Sequence, residues 1–240
     1  KNFVENIIDF TEKNECYFFD DHGNKKFGKY NSKENIRHLS SKFSYDESKI
    51  FNLEAINKLI FDPCIIKICE NYFNSKVNLS NIDLWWTPVR QNISIKSEIA
   101  NRSAQFFHFD LDRIKWLKFF IYLTDTTLDD GPHEYVKGTN KVKGKHKNLL
   151  KKGYERIDEK NMYNYYDATS IKKILGKKGT IFVGDTSCFH RGFPPIKNDR
   201  LLLVLEYSNS LFGGNYNKIK SIKNIDSYNE LNIKNKVVFE

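Results

Sequence analysis

Phe107-His108-Phe109-Asp110, with His190 far downstream and Arg200 ten residues after it, is the stretch on which the reading of this chain turns. In a strand over 105–109, alternate side chains share a face, so His108 and Asp110 project together with Phe106. Two imidazoles and one carboxylate on a rigid frame form a facial ligand set that leaves positions on a non-haem Fe(II) open. His190 follows the turn signal Gly184-Asp185-Thr186, which itself follows the apolar run Thr180-Ile181-Phe182-Val183. The segment after that turn can return across the molecule and supply the third ligand. His-x-Asp alone carries little, because a chain with six His offers such a pair by chance. The strand setting, the turn-borne second histidine and the trailing arginine give the set its weight. Order and spacing still admit a zinc or manganese site of the cupin type.

Outward from that stretch the texture is β. Ile82–Val89, Gln91–Ile95, Gln105–Phe109, Leu117–Leu123, Thr180–Val183 and Leu201–Tyr207 are aromatic and β-branched runs bounded by turn residues. Later strands without alternating helices predict a mainly β, α+β fold. Its core is a double-stranded β-helix, the cupin-like jelly roll, over residues 77–210. Arg200 opens Leu201-Leu202-Leu203-Val204-Leu205, the expected antiparallel partner of the His190 strand, with 192–199 as the loop between them. From there an arginine can reach into the pocket and pair bidentately with a carboxylate. Residues 140–178, rich in Lys and Tyr, read as an excursion or lid, with a short helix at Ser170–Leu175 stopped by Gly176. Residues 1–76 read as a helical layer. Phe3, Ile7, Ile8 and Phe10 form one amphipathic stripe, and Leu53, Ile56, Leu59 and Ile60 another. Asp62-Pro63 starts a third helix, running to about Phe73. Residues 211–240 read as a polar tail.

A chain of 240 residues that is 40% hydrophobic and 15% aromatic can bury a sizeable core, so it is globular rather than disordered. The formal charge of +9 suggests nucleic acid, but the cations argue otherwise. Of 39 basic residues only seven are Arg, the Lys are scattered, and no nucleic-acid-binding signature appears, so a solvated lysine surface is the expectation. The four cysteines form no CxxC pair, which suits free thiols and a cytoplasmic setting. No apolar run is long enough to span a membrane. Beginning at Lys1 rather than Met, the chain is expected to be part of a longer polypeptide.

Phe107–Asp110, Leu117-Lys118-Phe119-Phe120-Ile121-Tyr122-Leu123-Thr124-Asp125, Asp130-Gly131-Pro132, Lys137-Gly138-Thr139-Asn140-Lys141, Gly184-Asp185 to His190, and Arg200 together resemble the phytanoyl-CoA dioxygenase family of 2-oxoglutarate oxygenases, over roughly residues 80–210. The resemblance implies that His108, Asp110 and His190 bind Fe(II), that Arg200 binds the cosubstrate 2-oxoglutarate, and that O₂ is the oxidant. The family's Pro-Gly-Ser-His loop is Lys137-Gly138-Thr139-Asn140 here, a segment that carries no ligand. Some members place a supporting hydroxyl two residues after the distal histidine, where this chain has Gly192. Lys118 and Tyr122, sharing a strand face with Phe120, are the candidates to replace it as cosubstrate contacts.

Substrate signals are thinner. Arginines stand out against the lysine background, and Arg113, Arg191 and the loop residue His133 are the substrate candidates at the pocket mouth. Tyr154, Tyr163, Tyr165 and Tyr166 form either a stacking lid or a small core of the excursion. The expected activity is hydroxylation of an unactivated C–H bond in a small or carrier-linked, anionic substrate, because Asp110 is retained where iron halogenases lack the carboxylate. A cupin-like metalloenzyme without 2-oxoglutarate and a noncatalytic binding module are the alternatives.

Overall fold

The computed structural model describes residues 2–31, 36–89, 104–151, 153–210 and 212. Its elements run α1 (Phe3–Lys13), β1 (Cys16–Phe19), β2 (Lys25–Gly28), β3 (Phe43–Ser44), α2 (Glu47–Phe51), α3 (Glu54–Ile60), α4 (Pro63–Phe73), β4 (Asn78–Thr87), β5 (Trp116–Tyr122), β6 (His133–Val136), α5 (Lys147–Leu150), α6 (Glu159–Tyr163), β7 (Ile171–Ile174), β8 (Ile181–Gly184), β9 (His190–Gly192) and β10 (Arg200–Ser208). The expected strand at Gln91–Ile95 and nearly all of the expected tail lie outside the described residues.

Two antiparallel sheets form a jelly-roll sandwich. The large sheet runs β2-β1-β3-β4-β10-β5-β8 and the small one β7-β6-β9. β10 explains the architecture best. Leu201, Leu203, Leu205 and Tyr207 point to one face and pack with Ile7, Ile56, Ile60 and Cys69 of the helical layer. Leu202 and Val204 point the other way and pack with Phe120, Tyr122, Trp85 and Phe182 inside the sandwich. A strand buried on both faces reads as a continuous apolar run rather than an alternating one. Burying each of these side chains contributes about 1.5–3 kcal/mol, so the shared strand ties helical layer and sandwich into one core. The inner face of β10 also carries Arg200 and Glu206, and that of β5 carries Lys118. The same alternation thus sends charged groups into the interior.

The helices α1, α3 and α4 form where the sequence predicts them. The Asp62 side chain caps α4 by accepting from the Cys64 and Ile65 backbone amides at 2.8 and 3.2 Å, with Pro63 in the first turn. Such a cap contributes about 1 kcal/mol.

Four sequence expectations are corrected. Residues 1–76 are not only helical: β1, β2 and β3 extend the large sheet, and Cys16, Phe18 and Phe43 are buried in the main core. Within the expected helix Ser170–Leu175, Ile171–Ile174 form strand β7. Their isoleucines sit three apart, which suits either period, and pairing with β6 decides for strand. Gln105–Phe109 forms only isolated bridges, Phe107 to Ile157 and His108 to His190. Finally, β10 pairs with β4 and β5, whereas β9 pairs with β6. Arg200 therefore faces the His190 strand across the sandwich instead of lying beside it. Among the described residues no helix is long and apolar enough to cross a membrane.

Candidate active site

His108 and His190 exchange both backbone hydrogen bonds, at 2.9 Å and 2.7 Å, so their side chains start from one paired position. The Asp110 amide donates to the Thr186 carbonyl at 2.8 Å, fixing the carboxylate next to them. The result is the clustering that sequence order suggested: ligand atoms of His108, Asp110 and His190 all lie within 4.8 Å of one another. Each histidine is oriented by its backbone. Nδ1 of His108 lies 2.9 Å from the Phe106 carbonyl and Nδ1 of His190 lies 3.0 Å from the Cys188 carbonyl. A carbonyl oxygen only accepts, so both Nδ1 atoms carry the proton and both Nε2 lone pairs face the cluster. Burial, reinforced for His108 by the neighbouring His190, holds both imidazoles below their ordinary pKa and hence neutral, as metal ligation requires. Burial alone would raise the Asp110 carboxyl, but the Lys118 ammonium bonded to it at 2.7 Å outweighs that and keeps it ionised.

A cavity of about 150 Å³ adjoins the cluster, lined among others by Phe120, His133, Val204, Gly192 and Arg200. Arg200 lines it, buried, with Nε and Nη1 unpartnered among the described residues and a 3.4 Å bond from Nη2 to the Thr87 hydroxyl. Burial pushes its pKa down to about 10, which leaves it charged at neutral pH. A buried guanidinium without an anion is unfavourable unless a ligand supplies one. Gly192 explains how it fits. A Cβ there would meet Arg200 Nη2 at 3.1 Å, so the position of the family's hydroxyl is held open for the guanidinium.

The other candidates fare differently. The Lys118 ammonium donates to Asp110 at 2.7 Å and Asp112 at 2.8 Å, and lies 3.2 Å from Glu206. An ammonium has three protons, so these carboxylates occupy it, and it braces the metal ligand instead of contacting the cosubstrate. Burial alone would lower its pKa, but Asp110, Glu206 and Asp112 together raise it. The Tyr122 hydroxyl donates to the Ile174 carbonyl and accepts from the His133 amide, so its proton is committed to the backbone. Arg191 is buried, with Nε 2.6 Å from Glu134 and its guanidinium over Phe107 and Phe193, and is a structural ion pair rather than a group at the mouth. Arg113 faces Glu206 at 3.6 Å. His133, expected on a surface loop, lies buried in β6 against Phe120, with Nδ1 unpartnered among the described residues. Burial and then Arg200 lower its pKa well below the usual value. In the excursion, Tyr166 packs on a small core of Phe107, Val136, Ile157, Met162, Ile171 and Phe189, and Tyr165 stacks on His146. Tyr154 meets Phe109 edge-on at 5.3 Å.

Neutral imidazoles with inward Nε2 atoms, one ionised carboxylate and a buried arginine lacking an anion are a donor set that fits Fe(II) and 2-oxoglutarate. Fold and site together define a jelly-roll, non-haem iron oxygenase. The phytanoyl-CoA dioxygenase (PhyH) family profile matches residues 27–196, and the chain belongs to that family. It is accordingly an Fe(II)- and 2-oxoglutarate-dependent enzyme that uses O₂. No curated protein matches the chain in sequence. Among solved structures, HygX from Streptomyces hygroscopicus with nickel and 2-oxoglutarate bound is similar at 15% identity and a TM-score of 0.53, covering 72% of this chain and 71% of that one. The same protein with iron bound gives 14% identity and a TM-score of 0.50, covering 75% and 76%. The alpha-ketoglutarate-dependent epimerase SnoN from nogalamycin biosynthesis gives 10% identity and a TM-score of 0.51, covering 86% and 73%. At these identities the likeness is one of fold.

Proposed function

We propose that this chain hydroxylates an unactivated C–H bond of a small or carrier-linked, negatively charged substrate. His108, Asp110 and His190 hold the Fe(II) and Arg200 holds the far carboxylate of 2-oxoglutarate. The observation that carries the reading is Arg200: a charged, buried guanidinium with two nitrogens unpartnered among the described residues, lining the same small cavity as three converging ligand residues. A binding module without chemistry would have no reason to keep both features.

Bound iron and 2-oxoglutarate would let O₂ act as the oxidant, one oxygen atom going to the substrate and the other to the succinate that leaves with carbon dioxide. The protein's part is placement. The paired backbones of His108 and His190 fix two ligands, and Lys118 clamps Asp110 on the side away from the cavity's arginine. Phe120, Val204 and Trp85 supply the apolar part of the cavity wall. Retention of Asp110 supports hydroxylation over halogenation, since the carboxylate occupies the position a halide would need.

The test begins with anaerobic addition of Fe(II) and 2-oxoglutarate, which should give the weak visible charge-transfer band of the chelate. Arg200→Ala should need far more cosubstrate to reach it. With substrate and O₂, the product should gain one oxygen atom by mass. A metal-loaded protein without the band would favour a cupin-like enzyme that does not use 2-oxoglutarate. Cosubstrate consumption with an unchanged product mass would replace hydroxylation by an epimerisation or other oxidation.

A further inference from the structure

The cations of the site divide unequally. Lys118 is occupied by three carboxylates, Arg191 by Glu134 and Glu159, Arg113 faces Glu206, Lys42 lies over the Trp85 ring, and Arg200 lines the cavity beside the ligand cluster. Arg156 remains. It is half-buried, its Nη1 is shut off from solvent, and that nitrogen has no hydrogen-bond partner among the described residues.

Its direction follows from register. Phe107 and Ile157 form an antiparallel bridge with reciprocal backbone bonds of 2.9 and 2.8 Å, which sets residue 156 opposite His108. Phe107 and Ile157 both turn into the excursion's small core. Alternation then turns His108 and Arg156 to the other face, the one that carries the metal ligands. Register thus turns the Arg156 side chain toward the face of the metal ligands, from the 140–178 excursion and on a different element from the cosubstrate arginine.

We propose that Arg156 anchors a negatively charged group, a carboxylate, sulfate or phosphoryl, of the substrate oxidised at this centre. The assignment rests on the oxygenase reading and deepens it. The substrate spans from the anion at Arg156 to a C–H bond held over the metal ligands. Guanidinium favours such groups through two-point, charge-assisted hydrogen bonds that a lysine would not reproduce. The other available source of an anion is the cosubstrate's own near carboxylate, and the test separates the two.

Sodium sulfate is titrated calorimetrically, at constant ionic strength, into the Fe(II)- and 2-oxoglutarate-loaded enzyme with oxygen excluded. Saturating cosubstrate keeps sulfate away from Arg200. The wild type should bind in the millimolar range, Arg156→Gln about tenfold or more weakly, and Arg156→Lys in between. The visible chelate band should titrate with 2-oxoglutarate identically in all three, which also shows that the variants fold. Equal sulfate binding in wild type and Arg156→Gln, or no sulfate site in the wild type, overturns the proposal. So does a weaker cosubstrate affinity in Arg156→Gln, which would give the residue to 2-oxoglutarate. If the wild type shows no chelate band, the oxygenase reading itself fails. Sulfate titration of Arg200→Gln against the Arg156→Gln, Arg200→Gln double variant then still decides whether Arg156 binds an anion.

Discussion

Lys118→Met removes the cation that three carboxylates share. Glu206 is buried, Asp110 nearly so, and only Asp112 reaches solvent to a substantial degree, with side-chain exposures of 3%, 14% and 45%. Methionine keeps the length of the stem while deleting its charge, so packing changes little. Breaking a buried ion pair from one side leaves an uncompensated charge and costs about 3–5 kcal/mol. Asp112 adds little to that, because water solvates it. For a domain of this size each kcal/mol lowers Tm by about 2–4 °C, so the metal-free variant should melt roughly 6–20 °C below the wild type. The loss has a pH signature. Burial already raises the Glu206 pKa despite Lys118, and without the ammonium it rises further. A group whose folded pKa lies above its unfolded one contributes stability at low pH and loses it as pH rises through the folded value. The Tm deficit should therefore be larger at pH 8 than at pH 5, by circular dichroism in the presence of a chelator. Because Lys118 also fixes the free oxygen of Asp110, affinity for Ni(II) should fall about 10–100-fold. A Tm deficit that is negligible at pH 8, or one that does not shrink on acidification, would refute the assignment of Lys118 as the brace of a buried anionic cluster.

Arg200→Met should leave the metal-free Tm unchanged or raised, since it deletes an unpaired buried charge, while the cosubstrate Kd read from the visible band rises about tenfold or more. A large Tm loss would mean that the arginine is structural. In Gly192→Ala the new methyl would press on Arg200 Nη2 at 3.1 Å. Cosubstrate affinity should weaken about threefold, or roughly 0.7 kcal/mol, with little change in melting; an unchanged affinity would show that the guanidinium yields freely. The pKa values of His108 and His190 are held below the ordinary value by burial, so protons compete with metal only at low pH. Ni(II) affinity should accordingly be the same within about twofold at pH 7.5 and 6.5, where an unperturbed pair with pKa of about 6.5 would already lose several-fold.

What the sequence shows and what it hides follow from how each residue is held. β5, β8 and β10 are legible because their apolar runs are longer than any turn or surface helix allows. β6, β7 and β9 are not: His133-Glu134-Tyr135-Val136, Ile171-Lys172-Lys173-Ile174 and His190-Arg191-Gly192 are short and polar, and only pairing with one another makes them strands. The metal set is legible because its chemistry demands particular residue types in a particular order. Lys118 reads from the sequence as a cosubstrate contact, because nothing local reveals that Asp112 and Glu206 converge on it. Arg156 was visible as an arginine in a lysine-rich chain, but so were Arg113 and Arg191. The Phe107–Ile157 bridge separates it from them, and that contact spans fifty residues.

The site also explains why the interior of the sandwich is built as it is. Arg200 and Lys118 come from the large sheet, while His133 and His190 come from the small one, so the cavity exists only where the sheets meet. One half of that interior holds its own counter-ions, since Lys118 lies within hydrogen-bond reach of Asp110, Asp112 and Glu206 and Arg113 faces Glu206. The other half does not. The Nε and Nη1 of Arg200 and the Nδ1 of His133 are buried without partners among the described residues, which weakens the empty state. A dicarboxylate entering there supplies the missing anion and acceptor, so part of its affinity comes from relieving polar groups already desolvated by the fold. Since such a ligand binds only the folded chain, saturating 2-oxoglutarate with metal should raise Tm. At a hundred times Kd the gain is about 2.7 kcal/mol, or roughly 5–11 °C for a domain of this size. Arg200→Met should lose most of that rise while its own empty state melts no lower. A stabilisation by 2-oxoglutarate that survives Arg200→Met at the same concentration would place the cosubstrate elsewhere.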